Sequence, residues 1–168
     1  MIQKTVKQIP WPETARTCVG TILGIGGVAL LAEYTSLPFI IAPFGASAVL
    51  IYSATSSPLA QPRNLIVGHL VSGAIAITIC NLFGNSVLPT VLAVTASIVA
   101  MMHLDAVHPP GGATALLCML QNTTSYTFVI TPLAAGVVVL LLAAVIASAL
   151  IPKANPYPVN KKPTRKGE

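Results

Sequence analysis

The sequence predicts an all-α polytopic membrane protein built as two repeats, each a long helix, a broken half-helix segment and a second long helix. Composition is the first observation behind that prediction. Hydrophobic residues make up 54% of the 168 positions, charged residues only 8%, and the mean hydropathy is +0.81, far more apolar than a soluble domain. The second is the placement of charge. Lys4, Lys7, Glu13 and Arg16 precede the first apolar run, and Lys153, Lys161, Lys162, Arg165, Lys166 and Glu168 follow the last. Between Thr17 and Pro152 the fully charged residues are Glu33, Arg63 and Asp105. The third is a duplicated motif. Pro43-Phe44-Gly45-Ala46-Ser47-Ala48-Val49-Leu50 returns about 67 residues later as Pro110-Gly111-Gly112-Ala113-Thr114-Ala115-Leu116-Leu117, each reading Pro-x-Gly-Ala-Ser/Thr-Ala-x-Leu. Proline and glycine interruptions at matching places in two apolar halves point to broken membrane helices with a binding site between them, hence to a transport protein.

A membrane-spanning helix needs about 20 predominantly apolar residues, which sorts the chain in order. Residues 1–16 form a cytoplasmic or interfacial segment in which Ile9-Pro10-Trp11-Pro12 sets a Trp beside the first span. Thr17 to Tyr34 is that span. Its Gly20 and Gly24 stand at GxxxG spacing, with Gly26 and Gly27 beyond, a surface suited equally to packing within the chain and to dimerisation. Ser36 to Thr55 is broken: Pro38 and Pro43 keep Leu37 to Phe44 extended, and a half-helix runs from Gly45 to Tyr52. Leu65 to Phe83 is the second clean span, Gly84-Asn85-Ser86 a turn, and Val87 to His103 the third span. In Ala106 to Gln121, His108-Pro109-Pro110-Gly111-Gly112 blocks helix and Ala113 to Leu120 forms a half-helix. Phe128 to Ile151 is the last span, and 152–168 is a basic tail. The transmembrane domain is therefore 17–151, with repeat 1 at about 17–83 and repeat 2 at about 87–151.

Irregular backbone at membrane depth must be enclosed by protein or line a polar cavity, so both joints should face inward. If both broken segments cross, there are six passes, and the N-terminus, the Arg63 loop and the C-terminus share the side that basic residues mark as cytoplasmic. If both re-enter, there are four passes and Arg63 changes sides. The six-pass version is preferred because three-element repeats then come out inverted. No short apolar signal core precedes Trp11, so the first helix is expected to act as its own signal. Cys18, Cys80 and Cys118 lie singly in apolar runs and read as buried small hydrophobes. Asn122-Thr123-Thr124 reads as a polar turn. The basic residues sit in tails beside a membrane, which makes anionic lipid rather than nucleic acid their partner.

The first turn of a helix offers unpaired N–H groups and the positive end of its dipole. Two half-helix starts meeting near the midplane would hold a small anion in a binding site of Pro43, Phe44, Gly45, Ala46 and Ser47 in one copy and of Pro109, Pro110, Gly111, Gly112, Ala113 and Thr114, preceded by His108, in the other, with Gly45, Ala46, Ser47, Gly112, Ala113 and Thr114 supplying the donors. The bland alternative is that Ser47 and Thr114 only cap their own helices and the glycines only allow close packing. Glu33, His69, Asn81, His103, Asp105 and His108 are the other polar groups in or beside spans, where such groups mark function by default. His69, His103 and Asp105 are candidates for gating or proton movement, and His103, Asp105 and His108 precede the second joint. Their spacing fits no zinc signature, so neither metal nor cofactor is expected. Glu33 reads as interfacial.

Ala42 to Leu50, Ser57-Pro58-Leu59-Ala60-Gln61-Pro62-Arg63-Asn64, Gly68-His69 and above all His108-Pro109-Pro110-Gly111-Gly112-Ala113-Thr114-Ala115 resemble the HPP family of small integral membrane proteins, named for the His-Pro-Pro motif. The resemblance covers roughly Glu13 to Ile151. Members are usually described with four transmembrane segments, which conflicts with six passes unless the broken segments go uncounted. Because cyanobacterial and chloroplast members are associated with nitrite transport, the resemblance implies an anion transporter. Members fused to extra soluble domains also occur, for which this chain is expected to have no room, and with no chloroplast transit peptide read before Trp11 a stand-alone bacterial protein of the plasma membrane is the simplest expectation. The expectation is a non-enzymatic carrier or channel for nitrite or a similar small monovalent anion, acting as a homodimer through the glycine-rich first helix. The rivals are a channel for a small neutral solute, a metal-dependent membrane enzyme and a non-transporting assembly subunit.

Overall fold

The computed structural model describes residues 9–159 and is all-helical across them. The basic residues Lys4, Lys7, Lys161, Lys162, Arg165 and Lys166 lie outside the described residues. Helix α1 runs Trp11–Thr35, α2 Ala42–Ala48 with a π-helical turn Val49–Ser53 continuing it, and α3 Pro62–Phe83 after a short turn of helix at Pro58–Ala60. Helix α4 is Val87–His103, α5 Pro109–Leu120, and α6 Ala135–Leu150, entered through a π-helical turn at Val129–Ala134.

Helices start earlier than the prolines suggested. Pro43 sits in the first turn of α2, which begins at Ala42 rather than Gly45, and Pro109 and Pro110 open α5, four residues before Ala113. The reason is that proline at the first helical positions costs no hydrogen bond and brings a ready-made φ. Pro12 does the same for α1, so Trp11 lies inside that helix, where it is exposed. The last span is interrupted, with Thr131 extended at φ −140° and ψ 121° just before Pro132. Three helical stretches are long and apolar enough to cross a bilayer, Trp11–Thr35, Pro62–Phe83 and Val129–Leu150, while Ala42–Ser53, Val87–His103 and Pro109–Leu120 are shorter. Val87–His103 is thus a short helix, not a full-length span. At about 1.5 Å per residue α5 covers only about 18 Å, less than a hydrocarbon core of about 30 Å.

Successive helices alternate in direction. Glu13 and Arg16 meet Asn155 while Gly27 faces Val139, so α1 and α6 are antiparallel. Gly68 lies against Met101, as antiparallel α3 and α4 require, and His69 and Cys80 on α3 meet Thr114 and Asn122, at the start and past the end of a parallel α5. One end of the bundle therefore gathers the start of α1, the 54–61 loop, the α4–α5 turn and the segment after α6.

Between helices in lipid, close packing and interhelical hydrogen bonds replace the hydrophobic drive, and this chain shows both. A Cβ at Gly20 would lie 2.7 Å from the Tyr52 ring, one at Gly24 would overlap the Tyr52 hydroxyl, and one at Gly27 would come within 2.9 Å of Val139. The Tyr52 hydroxyl donates to the Leu140 carbonyl at 3.0 Å. The GxxxG face is therefore consumed within the chain, which removes it as the dimer contact. Cys80 and Cys118 are buried as expected, but Cys18 is exposed.

Candidate functional site

The duplicated motifs each turn one stripe inward. Pro43, Phe44 and Ser47 are buried on α2, and their counterparts Pro110, Gly111 and Thr114 are buried on α5. Positions i, i+1 and i+4 share a helix face, so the other motif residues must point away. Gly45, Ala46, Pro109 and Ala113 are exposed and Gly112 is half-buried. A Cβ at Gly45 or Gly112 would meet open space, so these two glycines do not serve close approach within the chain.

Between the buried stripes stands His69, eight positions into α3 and fully enclosed. Its Nε2 lies 2.8 Å from Ser47 Oγ and its Nδ1 lies 2.7 Å from Thr114 Oγ1. One imidazole thus joins the hydroxyls of both motif copies. The Ser47 oxygen also meets His108 Nε2 at 2.9 Å, His108 Nδ1 donates to the Leu59 carbonyl at 2.9 Å, and Thr114 Oγ1 reaches the Pro110 carbonyl at 3.2 Å. The result is an unbranched chain from Leu59 through His108, Ser47, His69 and Thr114 to Pro110. Its four side chains are all 0% exposed. The two imidazoles lie edge to face with centroids 5.1 Å apart, and Phe44 closes on His69 from the other side at 5.6 Å.

Tight backbone contacts hold these groups in register. A Cβ at Gly68 would stand 2.5 Å from His108 Cβ, and one at Gly111 would stand 2.6 Å from the Gly68 carbonyl oxygen. Helices α3 and α5 therefore touch backbone to backbone beside the chain. On the other flank the Phe44 ring occupies the space that a side chain at Gly136 would need.

The family description "HPP, transmembrane region" matches residues 6–158. The chain belongs to the HPP family. Two transmembrane proteins of Dictyostelium discoideum are 35% and 33% identical to it over 94% and 92% of its length. The chain spans 52% and 56% of those relatives, about half of each. No solved structure gives a significant match.

Within this HPP chain, the His-Pro-Pro motif has a structural meaning. His108 occupies the cap position of α5 with extended backbone, φ −135° and ψ 103°, and the two prolines fill the first turn. Those prolines also remove the free N–H groups that a helix N-terminus would present to an anion, and the Gly111 N–H is engaged by the His108 carbonyl at 2.8 Å. The Phe44 N–H is likewise engaged by Ile41 at 3.0 Å. The half-helices do not meet tip to tip. Ala42 and Pro43 share an outer groove with Ala113, Leu116, Leu117 and Leu120, whereas Ser47, further along α2, reaches His108 at the start of α5. The pair lies side by side and antiparallel, so their dipoles oppose rather than add. The half-helix starts therefore do not present paired electropositive tips to a shared pocket; what converges is the hydroxyl and imidazole chain.

His103 and Asp105 stand apart from it. His103 is exposed at the end of α4, and Asp105 is exposed in the α4–α5 turn at φ 47°. Asp105 lines a cleft of about 600 Å³ with Ser56, Gln61, Arg63 and Asn64 and with Pro58, Pro62, Pro158 and Val159. Arg63 bonds the backbone carbonyls of Leu104 and Asp105 there, and Asn64 Nδ2 bonds the Val107 carbonyl at 2.8 Å, which fixes the turn before His108. Leu59, the outer end of the chain, lies between Pro58 and Gln61, both in the cleft wall. Among the described residues, His, Cys, Asp and Glu do not gather in threes.

Arg16 was invisible as a buried residue. The residue is 2% exposed, and its guanidinium pairs with Glu13 at 2.7 Å and bonds Thr55 and the Tyr52 and Asn155 carbonyls. It ties α1 to the segment after α6. Tyr157 in that segment donates to the Ala60 carbonyl at 2.8 Å, one residue from Leu59. No local pattern marks Arg16; its place in the N-terminal charge cluster was the only signal, and that suggested exposure.

Proposed function

We propose that this HPP-family chain carries a small monovalent anion, nitrite first, across a bacterial plasma membrane, and that Ser47, His69, His108 and Thr114 form the coordination site. The observation that carries this reading is the convergence of both motif copies on the two nitrogens of one buried imidazole. Polar groups enclosed in an apolar bundle mark solute paths, and hydroxyl and imidazole donors can replace the hydration shell of a small anion at close range. The cleft lined by Arg63 and Asn64 serves as the vestibule. Because the chain is sealed on all sides, passage requires one repeat to shift against the other and open it to each side in turn.

Two features support the inverted repeat. Helix α1 packs antiparallel on α6 as α4 packs antiparallel on α3, and the equivalent motif residues Phe44 and Gly111 press on glycines of equivalent helices, Gly136 and Gly68. We retain six passes with both termini cytoplasmic, supported by the alternating directions, by the non-helical residues flanking the short α2 and α5, which would complete their crossings, and by Arg63 and Lys153 at the end that holds the start of α1 and the segment after α6. We retain a homodimer, with a contact elsewhere than Gly20 and Gly24.

A neutral solute is the second reading, favoured by the loss of helix-start donors to Pro43, Pro109 and Pro110. Reconstituted vesicles separate the two. Protein-dependent uptake of nitrite that greatly exceeds uptake of urea or glycerol supports the anion reading; the reverse order overturns it.

A further inference from the structure

The hydrogen-bonded chain has more links than protons. From the Leu59 carbonyl to the Pro110 carbonyl there are five links, at 2.9, 2.9, 2.8, 2.7 and 3.2 Å. Both ends are carbonyl oxygens, which only accept. With both imidazoles neutral, His108, Ser47, His69 and Thr114 bring one proton each, so four protons serve five links and one link stays empty. With the longest link, Thr114 to Pro110, taken as the empty one, His108 Nδ1–H donates to Leu59 and its Nε2 accepts from Ser47; Ser47 then accepts from His69 Nε2–H, and His69 Nδ1 accepts from Thr114.

One added proton fills the set. It arrives on the free imidazole nitrogen, and the Thr114 hydroxyl turns to Pro110. The charge can rest on either imidazole, because reversing the Ser47 hydroxyl passes a proton between the two Nε2 atoms and turns His69 cationic with His108 neutral, or the converse. A second proton has no link to enter, since Ser47 would accept from both rings with its own hydrogen unpartnered and two cations would face each other at 5.1 Å. A lone imidazolium enclosed at membrane depth is costly, and so is a lone anion; the pair is neutral.

We propose that this chain of Ser47, His69, His108 and Thr114 is a one-proton site, and that the protein moves one proton with each anion as an electroneutral symporter. This rests on the transport reading above. The cleft beside Leu59 supplies the proton, which enters at His108 and is relayed by Ser47 to His69; the anion binds against the cationic chain, and both leave together. The elements packed around the chain carry other titratable groups: Tyr52 on the α2 extension, Cys118 on α5, Cys80 on α3, His103 on α4, and Arg63 with Asp105 at the cleft. None of these is a hydrogen-bond partner of either imidazole.

The test uses the full chain in liposomes with a lumenal pH dye, an inward nitrite gradient and a potassium–valinomycin clamp on membrane potential. Flux in protein-free vesicles, which carries the passive leak of nitrous acid, is subtracted. The expected result is one proton entering per nitrite, uptake unchanged between clamped potentials, and uptake rising about tenfold per unit fall in outside pH above the site's titration, the first-order dependence of a single proton. His69→Gln, which keeps polar atoms but cannot become a cation, should drop the proton-to-nitrite ratio from one towards zero. Native uptake driven by an inside-positive potential without proton entry overturns the symport proposal and leaves anion transport standing. A ratio still near one in His69→Gln also overturns it. Native uptake no faster than in empty vesicles overturns both.

Discussion

Replacing Ser47 by Ala removes a single oxygen that two imidazoles share, at 2.8 Å from His69 and 2.9 Å from His108. Both Nε2 atoms are then left without a partner in a region where all four side chains are fully enclosed. Hydrogen bonds between helices in a membrane average about 0.6 kcal/mol and reach about 1.7, because the inserted but unfolded chain finds substitutes. Two such bonds set the expected loss at about 1–3 kcal/mol. The vacated space is that of one oxygen, too small to admit a rescuing water. Ser53→Ala is the matched control, since Ser53 is exposed and its hydroxyl bonds only the Val49 carbonyl of its own turn. The assay is reversible unfolding of purified protein in mixed micelles, read by tryptophan fluorescence and helical circular dichroism. Ser47→Ala unfolding within about 0.5 kcal/mol of native, no further than an ordinary surface change, would refute the claim that both rings depend on this hydroxyl.

Gly111→Ala places a Cβ 2.6 Å from the Gly68 carbonyl oxygen, so α3 and α5 must part by about 0.8 Å to reach ordinary contact. The expected cost is about 1–3 kcal/mol, and the 2.7 Å His69 to Thr114 bond stretches to the limit of hydrogen bonding; stability in the unfolding assay and nitrite uptake both fall. Gly112→Ala, facing open space, should leave stability within about 0.5 kcal/mol in the same assay. Arg16→Ala strips three hydrogen bonds and the ion pair to Glu13 from a buried site, with an expected loss of about 3 kcal/mol and faster hydrogen exchange in residues 152–159. His103→Gln, at an exposed position, should leave uptake and its pH profile unchanged.

The membrane class and the runs of helix were legible because they follow from length and hydropathy, which need no tertiary information. Helix starts were misplaced for a specific reason. Pro43, Pro109 and Pro110 act as breakers inside a helix and as starters in its first turn, and the residues alone do not say which applies. Facing was harder still. The helices are apolar on nearly all sides, so no amphipathic phase shows that Ser47 and Thr114 turn inward while Gly45 and Ala113 turn out. The duplicated hydroxyls were visible as candidates, but their meeting at His69 depends on α3 packing against α5 beside the α2–α5 pair. Arg16 was read as part of a solvated cluster because its partners, Thr55 and Asn155, lie 39 and 139 residues away.

The account stands most directly on nitrite uptake into vesicles holding the native chain, Thr114→Val or His108→Ala. Each variant removes two of the five links of the buried chain, on opposite sides of His69. The prediction is native uptake well above empty vesicles and a loss of at least tenfold in both variants that retain native helix content. Uptake in the two folded variants equal to native would show that the converging hydroxyls and imidazoles are not the path of the solute.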